Sequence, residues 1–226
     1  MCDEAVWEHQ KNELKTVADI FIADHGSMNS LVAMADAILQ HAPQRFAIAG
    51  HSMGGRVALQ VFRRAPERIL GIALLDTGST PLASGGEGQA ELEIRNGLVK
   101  TAVESGVRSM ATEWVQPMVH PDRRSDAGLI EAILDMISRK TPEIFAAQIQ
   151  ALIERPDATA LLDQIRCPAL VLCGRQDSWS VLAHHEEMAR SIPNGRLVVI
   201  ENCGHMSTME RPEEVTAALR EWVTSL

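Results

Sequence analysis

Residues 46–66, FAIAGHSMGGRVALQVFRRAP, decide the fold, because an apolar run, a glycine-bounded turn and an amphipathic helix succeed one another around one hydroxyl. Phe46 to Ala49 is a short apolar run, and Val57, Ala58, Val61, Phe62 and Ala65 fall on one helical face. The period therefore changes from strand to helix at Gly50-His51-Ser52-Met53-Gly54. A serine on a strand-to-helix turn is pushed out above the sheet in a strained backbone conformation. Small neighbours at Gly50 and Gly54 are expected to let strand and helix approach closely enough to make that turn. The same turn puts Ser52 at a helix N-terminus, where unpaired N–H groups and the positive dipole end favour an oxyanion.

Working outward, further apolar runs occur at Val17 to Ala23, interrupted only by Asp19, and at Ile69 to Leu75, Ala169 to Cys173 and Leu197 to Ile200. Runs that are continuous rather than alternating imply strands covered on both faces, as in a parallel sheet. Helical patterns lie between them: Ala5, Trp7 and Leu14 behind an N-cap at Asp3, then Leu31 to Leu39, then Val181 to Ile192, and a last helix opened by Pro212. The order is that of an α/β protein with a mostly parallel sheet. Residues from about 87 to 157 contain no convincing strand, only helical patterns such as Leu129, Ile130, Ile133, Leu134 and Ile137, so an all-helical insertion is expected there.

Chemistry-bearing residues collect where these runs end. Ser52, Asp76, Asp177 and His205 each follow an expected strand at its C-terminal tip, the edge where open α/β sheets bind ligands. An alcohol is a poor nucleophile at neutral pH and needs a base such as histidine, of ordinary pKa ~6.5, to take its proton. His205 is the candidate base, and a carboxylate would hold its other ring nitrogen. His25 sits in the loop closing the first run and can approach the site, although a locally bonded loop histidine is the preferred reading, since nothing else assigns it a proton to move. His184 and His185 lie on a helix with no third ligand in register, so no metal is expected.

Composition narrows the class. The 226 residues carry 21 Lys plus Arg against 30 Asp plus Glu, a net charge of -9, so a nucleic-acid backbone would be repelled. Cys2, Cys167, Cys173 and Cys203 form neither a Cys-x-x-Cys pair nor a zinc spacing, which suits free thiols in a reducing cytosol. The start, MCDEAVWEHQ, lacks a basic and apolar leader pattern, and no apolar run reaches membrane-spanning length. A cytoplasmic protein with a small-molecule substrate, and neither a membrane nor a nucleic acid as partner, is the expectation.

Gly-His-Ser-Met-Gly-Gly at 50–55, the Gly-Arg-x-Asp turn ending at Asp177 and the Gly-His at 204–205 together resemble the α/β-hydrolase superfamily. That resemblance implies a serine hydrolase of small carboxylic esters, thioesters or lactones, without a cofactor. Ser52 would be the nucleophile, His205 the base, Asp177 the acid and the Met53 N–H an oxyanion donor. Asp76 is a rival acid, since some members take theirs from the earlier strand. Residues 1–80 and 158–226 would form the core and 81–157 a helical cap, with Trp114 and Trp179 against the substrate. The same triad also serves perhydrolases, acyltransferases and carbon–carbon bond hydrolases, and a non-catalytic member would keep the elbow without turnover. In the superfamily an apolar strand and a glycine turn precede the helix that here begins near Asp3. The coding frame is accordingly expected to extend upstream of Met1, with the chain as it stands poorly stable and weakly active unless the strands at 17–23 and 46–49 close up and pair.

Overall fold

Apolar runs become strands where a neighbour is present to pair with them. In the computed structural model, which describes residues 1–226, a 3-10 turn at Glu4–Trp7 leads into α1 (Glu8–Leu14), α2 (Leu31–His41), β1 (Phe46–His51), α3 (Met53–Arg64) and β2 (Ile69–Leu75). Four more helices follow, α4 (Gly86–Ser105), α5 (Val107–Trp114), α6 (Ala127–Ser138) and α7 (Pro142–Ile153). The chain then returns to the sheet through β3 (Ala169–Gly174), α8 (Leu182–Ser191), β4 (Gly195–Ile200), α9 (Ser207–Glu210) and α10 (Pro212–Thr224). Asp3 caps the first turn, its Oδ1 accepting from the Ala5 N–H at 2.9 Å.

All four strands are parallel, in the order β1-β2-β3-β4. Successive side chains of a strand point to opposite faces, and both faces are covered. Ile72, Leu74 and Val171 pack with Met34 of α2, Leu59 of α3 and Met188 of α8. Ala73, Leu75, Leu170 and Leu172 pack with Leu14 of α1 and with Val215, Leu219 and Trp222 of α10. The two central strands are thus buried on both sides, the physical reason they read as unbroken apolar runs. Helices α5 to α7 build a separate cluster around Met110, Ile133, Met136, Phe145 and Ile149, which reaches Val6 and Met206 next to the sheet. No helix is long and apolar enough to cross a membrane.

The run at Val17 to Ala23 is not a strand. It has no ladder partner and no regular structure, and its apolar side chains lie open, Phe21 at 79% exposure. A strand is held by its neighbours' amides and carbonyls, and this segment and β1 do not pair. β1 is therefore an edge strand, half-buried over its first three residues. The groove separating it from residues 18–23 is continuous with the large cavity described below.

Candidate active site

The strand-to-helix turn after β1 is tighter than its sequence suggests. Ser52 has φ 54° and ψ -118°, a left-handed setting that an L-residue adopts only when its surroundings impose it. They do so through the Ser52 N–H, which donates to Leu75 O at 2.8 Å, and the Ser52 carbonyl, which accepts from the Gly55 N–H at 3.0 Å and from Thr77 Oγ1 at 2.6 Å. A Cβ at Gly50 would sit 2.2 Å from Gly54 O, and one at Gly55 would sit 2.5 Å from Thr77 Cγ2. Gly54, by contrast, has nothing within 4 Å of an added Cβ. The close approach thus rests on Gly50 and Gly55, and the expectation for Gly54 is corrected. Met53 is the first residue of α3, so its N–H is one of the first-turn amides that helix geometry leaves without an intrahelical acceptor.

Three of the expected residues meet in one hydrogen-bonded chain. His205 Nε2 lies 2.8 Å from Ser52 Oγ, and His205 Nδ1 lies 2.7 Å from Asp177 Oδ2. An ionised carboxylate only accepts, so Nδ1 carries the proton and Nε2 presents its lone pair to the serine. Asp177 Oδ1 accepts from the Trp179 and Ser180 N–H groups at 2.8 and 2.9 Å. Burial would raise the Asp177 carboxyl, but the charge and hydrogen bond of His205 and these two amides hold it below the usual carboxylate range. The His205 N–H donates to Met118 O at 2.6 Å, which anchors the histidine loop to the segment after α5.

Asp76, the rival acid, belongs to a different pair. Its Oδ1 accepts from the Gly174 N–H at 3.0 Å, its Oδ2 accepts from Ser207 Oγ, and Oδ2 stands 3.4 Å from His51 Nε2. His51 Nε2 donates to the His205 carbonyl at 2.7 Å. Burial opposes a charge on His51, yet the Asp76 carboxylate, with a smaller push from Cys2, outweighs it and drives the imidazole up to about 10. His185 is held in the opposite state. Its Nε2 accepts from the Thr77 N–H at 3.0 Å and its Nδ1 is 3.2 Å from Val181 O, which fixes the neutral ring, in keeping with a pKa lowered chiefly by burial. His184 is exposed. No group of three or more His, Cys, Asp or Glu side chains is placed to hold a metal ion.

Ser52 and His205 open into a cavity of about 1460 Å³ whose walls include Trp114, Trp179, Met118 and Met206. Trp179, 37% exposed, lies 4.9 Å from the His205 ring and stacks on Trp114 at 5.3 Å. Trp114 in turn meets Phe145 edge-on at 5.4 Å. His25 also lines this cavity and is pushed down to about 4, mainly by burial. Two lining residues escape a reading of the sequence. His51, the variable position of the glycine–serine turn, forms the second carboxylate–imidazole pair, and Arg56, one helical turn after Ser52, enters the cavity wall. The only local signal for Arg56 is its i+4 spacing from the serine.

A parallel sheet with this elbow and this hydrogen-bonded chain defines the α/β-hydrolase class of fold, and comparison with known proteins agrees. The model of the alpha/beta hydrolase family matches residues 17–218, and the chain belongs to that family. Among curated relatives, the pimeloyl-(acyl-carrier protein) methyl ester esterase of Aromatoleum aromaticum is 26% identical over 203 residues, covering 86% of this chain and 80% of that protein. The enzyme of the same name from Nitrosomonas europaea is 25% identical, covering 83% and 75%. Among solved structures, a thermophilic esterase from Thermogutta terrifontis, with malate bound, is similar at TM-score 0.86 and 31% identity, over 99% of this chain and 86% of that one. The enol-lactonase of Burkholderia xenovorans shares the fold at TM-score 0.82 and 21% identity, over 99% and 87%.

Proposed function

We propose that the protein is a serine hydrolase of small carboxylic esters, thioesters or lactones that works through an acyl-enzyme on Ser52. The observation that carries this reading is the unbroken Ser52–His205–Asp177 chain at the cavity floor, in which the tautomer presents a basic nitrogen to the hydroxyl. Ser52 Oγ attacks the ester carbonyl while its proton passes to His205 Nε2. Asp177 orients the ring and stabilises the imidazolium so formed. The carbonyl oxygen becomes an oxyanion that the Met53 N–H, at the positive end of α3, is placed to receive. His205 then returns the proton to the departing alcohol or thiol, and the same base activates the water that releases the acid.

The relatives named as methyl ester esterases support ester hydrolysis as the reaction class. Residues 81–157 act in this reading as a helical cap over the nucleophile, and Trp179 and Trp114 as walls that sort acyl chains. A fluorophosphonate probe followed by a panel of ester substrates tests the proposal. The expected result is a single adduct on Ser52 together with ester turnover, both abolished by Ser52→Ala. Absence of labelling, or turnover retained by Ser52→Ala, would overturn it.

A further inference from the structure

In the wall of the cavity that Ser52 lines, three guanidiniums gather around a single carboxylate. Arg155, only 8% exposed, donates through both terminal nitrogens to Glu91, Nη1 to Oε1 at 2.7 Å and Nη2 to Oε2 at 2.9 Å. Arg95 shares that carboxylate, Nε to Oε1 at 2.8 Å and Nη2 at 2.7 Å. Arg56 stands against the same group with no carboxylate of its own, and its one protein acceptor is Thr80 O, 2.7 Å from Nη1. Three guanidiniums and one carboxylate leave a local charge of +2 in a chain whose net charge is -9. Burial, reinforced by Arg155 and Arg95, pushes Arg56 down to about 9, so its charge is held against its surroundings. A guanidinium presents five N–H donors in a planar fork that matches a carboxylate.

These residues and Ser52 line one cavity. Arg56 lies in the first turn of α3, which Ser52 caps, and its N–H is 3.4 Å from Ser52 O. We propose that Arg56, backed by Arg95 and Arg155, forms a carboxylate-binding subsite, and that the substrate is an ester bearing a second, ionised carboxylate a few carbons from the scissile bond. The proposal rests on the ester-hydrolase reading for the position of the reacting carbonyl. A cavity lined mainly by apolar side chains would otherwise favour the neutral ester, because an ionised carboxylate leaves water only for a partner.

Monomethyl adipate and methyl hexanoate present the same acyl length with and without the second carboxylate. The wild-type protein is expected to prefer monomethyl adipate in kcat/KM. Arg56→Gln should lower the adipate-to-hexanoate ratio about 10- to 100-fold, the range for a hydrogen bond to a charged group, and Arg56→Lys should restore part of it. A wild-type preference for methyl hexanoate, or a ratio unchanged in Arg56→Gln, would overturn the subsite. Calorimetric binding of both esters to Ser52→Ala provides a readout that needs neither turnover nor an Arg56 variant. Selective binding of monomethyl adipate supports the subsite even where neither ester is hydrolysed by wild type, a result that would sink the ester-hydrolase reading instead. Equal or weaker binding than methyl hexanoate overturns the subsite.

Discussion

Two aspartate–histidine pairs lie side by side at the C-terminal edge of this sheet, their imidazoles 5.4 Å apart, and their surroundings fit them for opposite tasks. In Asp177–His205 the carboxylate engages Nδ1 and the remaining nitrogen faces Ser52 and the cavity. In Asp76–His51 the nitrogen nearest the carboxylate also donates to the His205 carbonyl, and Asp76 is fully buried among bonds to Gly174 and Ser207. In the proposed reaction it is the first pair that moves the proton. The second keeps a charge sealed in the protein and braces the loop that carries the first. Residue type does not separate them; the partners around each ring and carboxylate do.

The largest effects should come from breaking the first pair's connection to its serine. Ser52→Ala and His205→Ala are each expected to lower kcat for ester hydrolysis about 10⁴- to 10⁶-fold while leaving the melting temperature nearly unchanged, as steady-state kinetics and a thermal melt would show. Near-wild-type turnover in either would remove the triad. The second pair should instead respond in stability. Asp76→Asn keeps the shape of the side chain but loses a buried, charged acceptor, and chemical denaturation should report a loss of about 1–3 kcal/mol.

A pH series sharpens the contrast. The folded-state pKa of His51 is raised to about 10 from an unfolded value of ~6.5. The pair's contribution to stability is therefore fully present below about 6.5 and is lost as pH climbs through the folded pKa near 10. The urea midpoint of wild type should fall relative to that of Asp76→Asn across this interval; a constant difference between them would mean that His51 is not charged in the native protein. Smallest is the effect expected at the wall that the first pair shares with substrate. Trp179→Ala should shift relative kcat/KM along an acyl-chain series by about tenfold, with no change in the adduct formed at Ser52, and an unchanged series would separate Trp179 from substrate.

How much of this was legible in the sequence follows from the range of the interactions concerned. The elbow at Ser52 and the strands β2, β3 and β4 are local or nearly so, written in runs of apolar residues, those of β2 and β3 buried on both faces of the sheet. Asp177 and His205 could be placed because each directly follows such a strand. The segment at 17–23 has the composition of a strand but no partner, and a single run cannot disclose whether a ladder awaits it. The distinction between Gly54 and Gly55 depends on Thr77, which comes from the next strand's tip. The pairing of His51 with Asp76, and the meeting of Arg56 with Glu91, Arg95 and Arg155, join residues from separate elements, and only Glu91–Arg95 leaves an i,i+4 trace.

The most direct test of the difference between the two pairs is ester turnover of Asp177→Asn beside Asp76→Asn, each normalised to folded protein. Asp177→Asn should cost about 10⁴-fold in kcat through loss of the correct histidine tautomer, with little change in melting temperature. Asp76→Asn should melt lower yet retain kcat within about tenfold of wild type per folded molecule, since Asp76 does not touch the His205 ring. The reverse ranking, with Asp76→Asn the more damaging to kcat, would contradict the assignment of the two pairs.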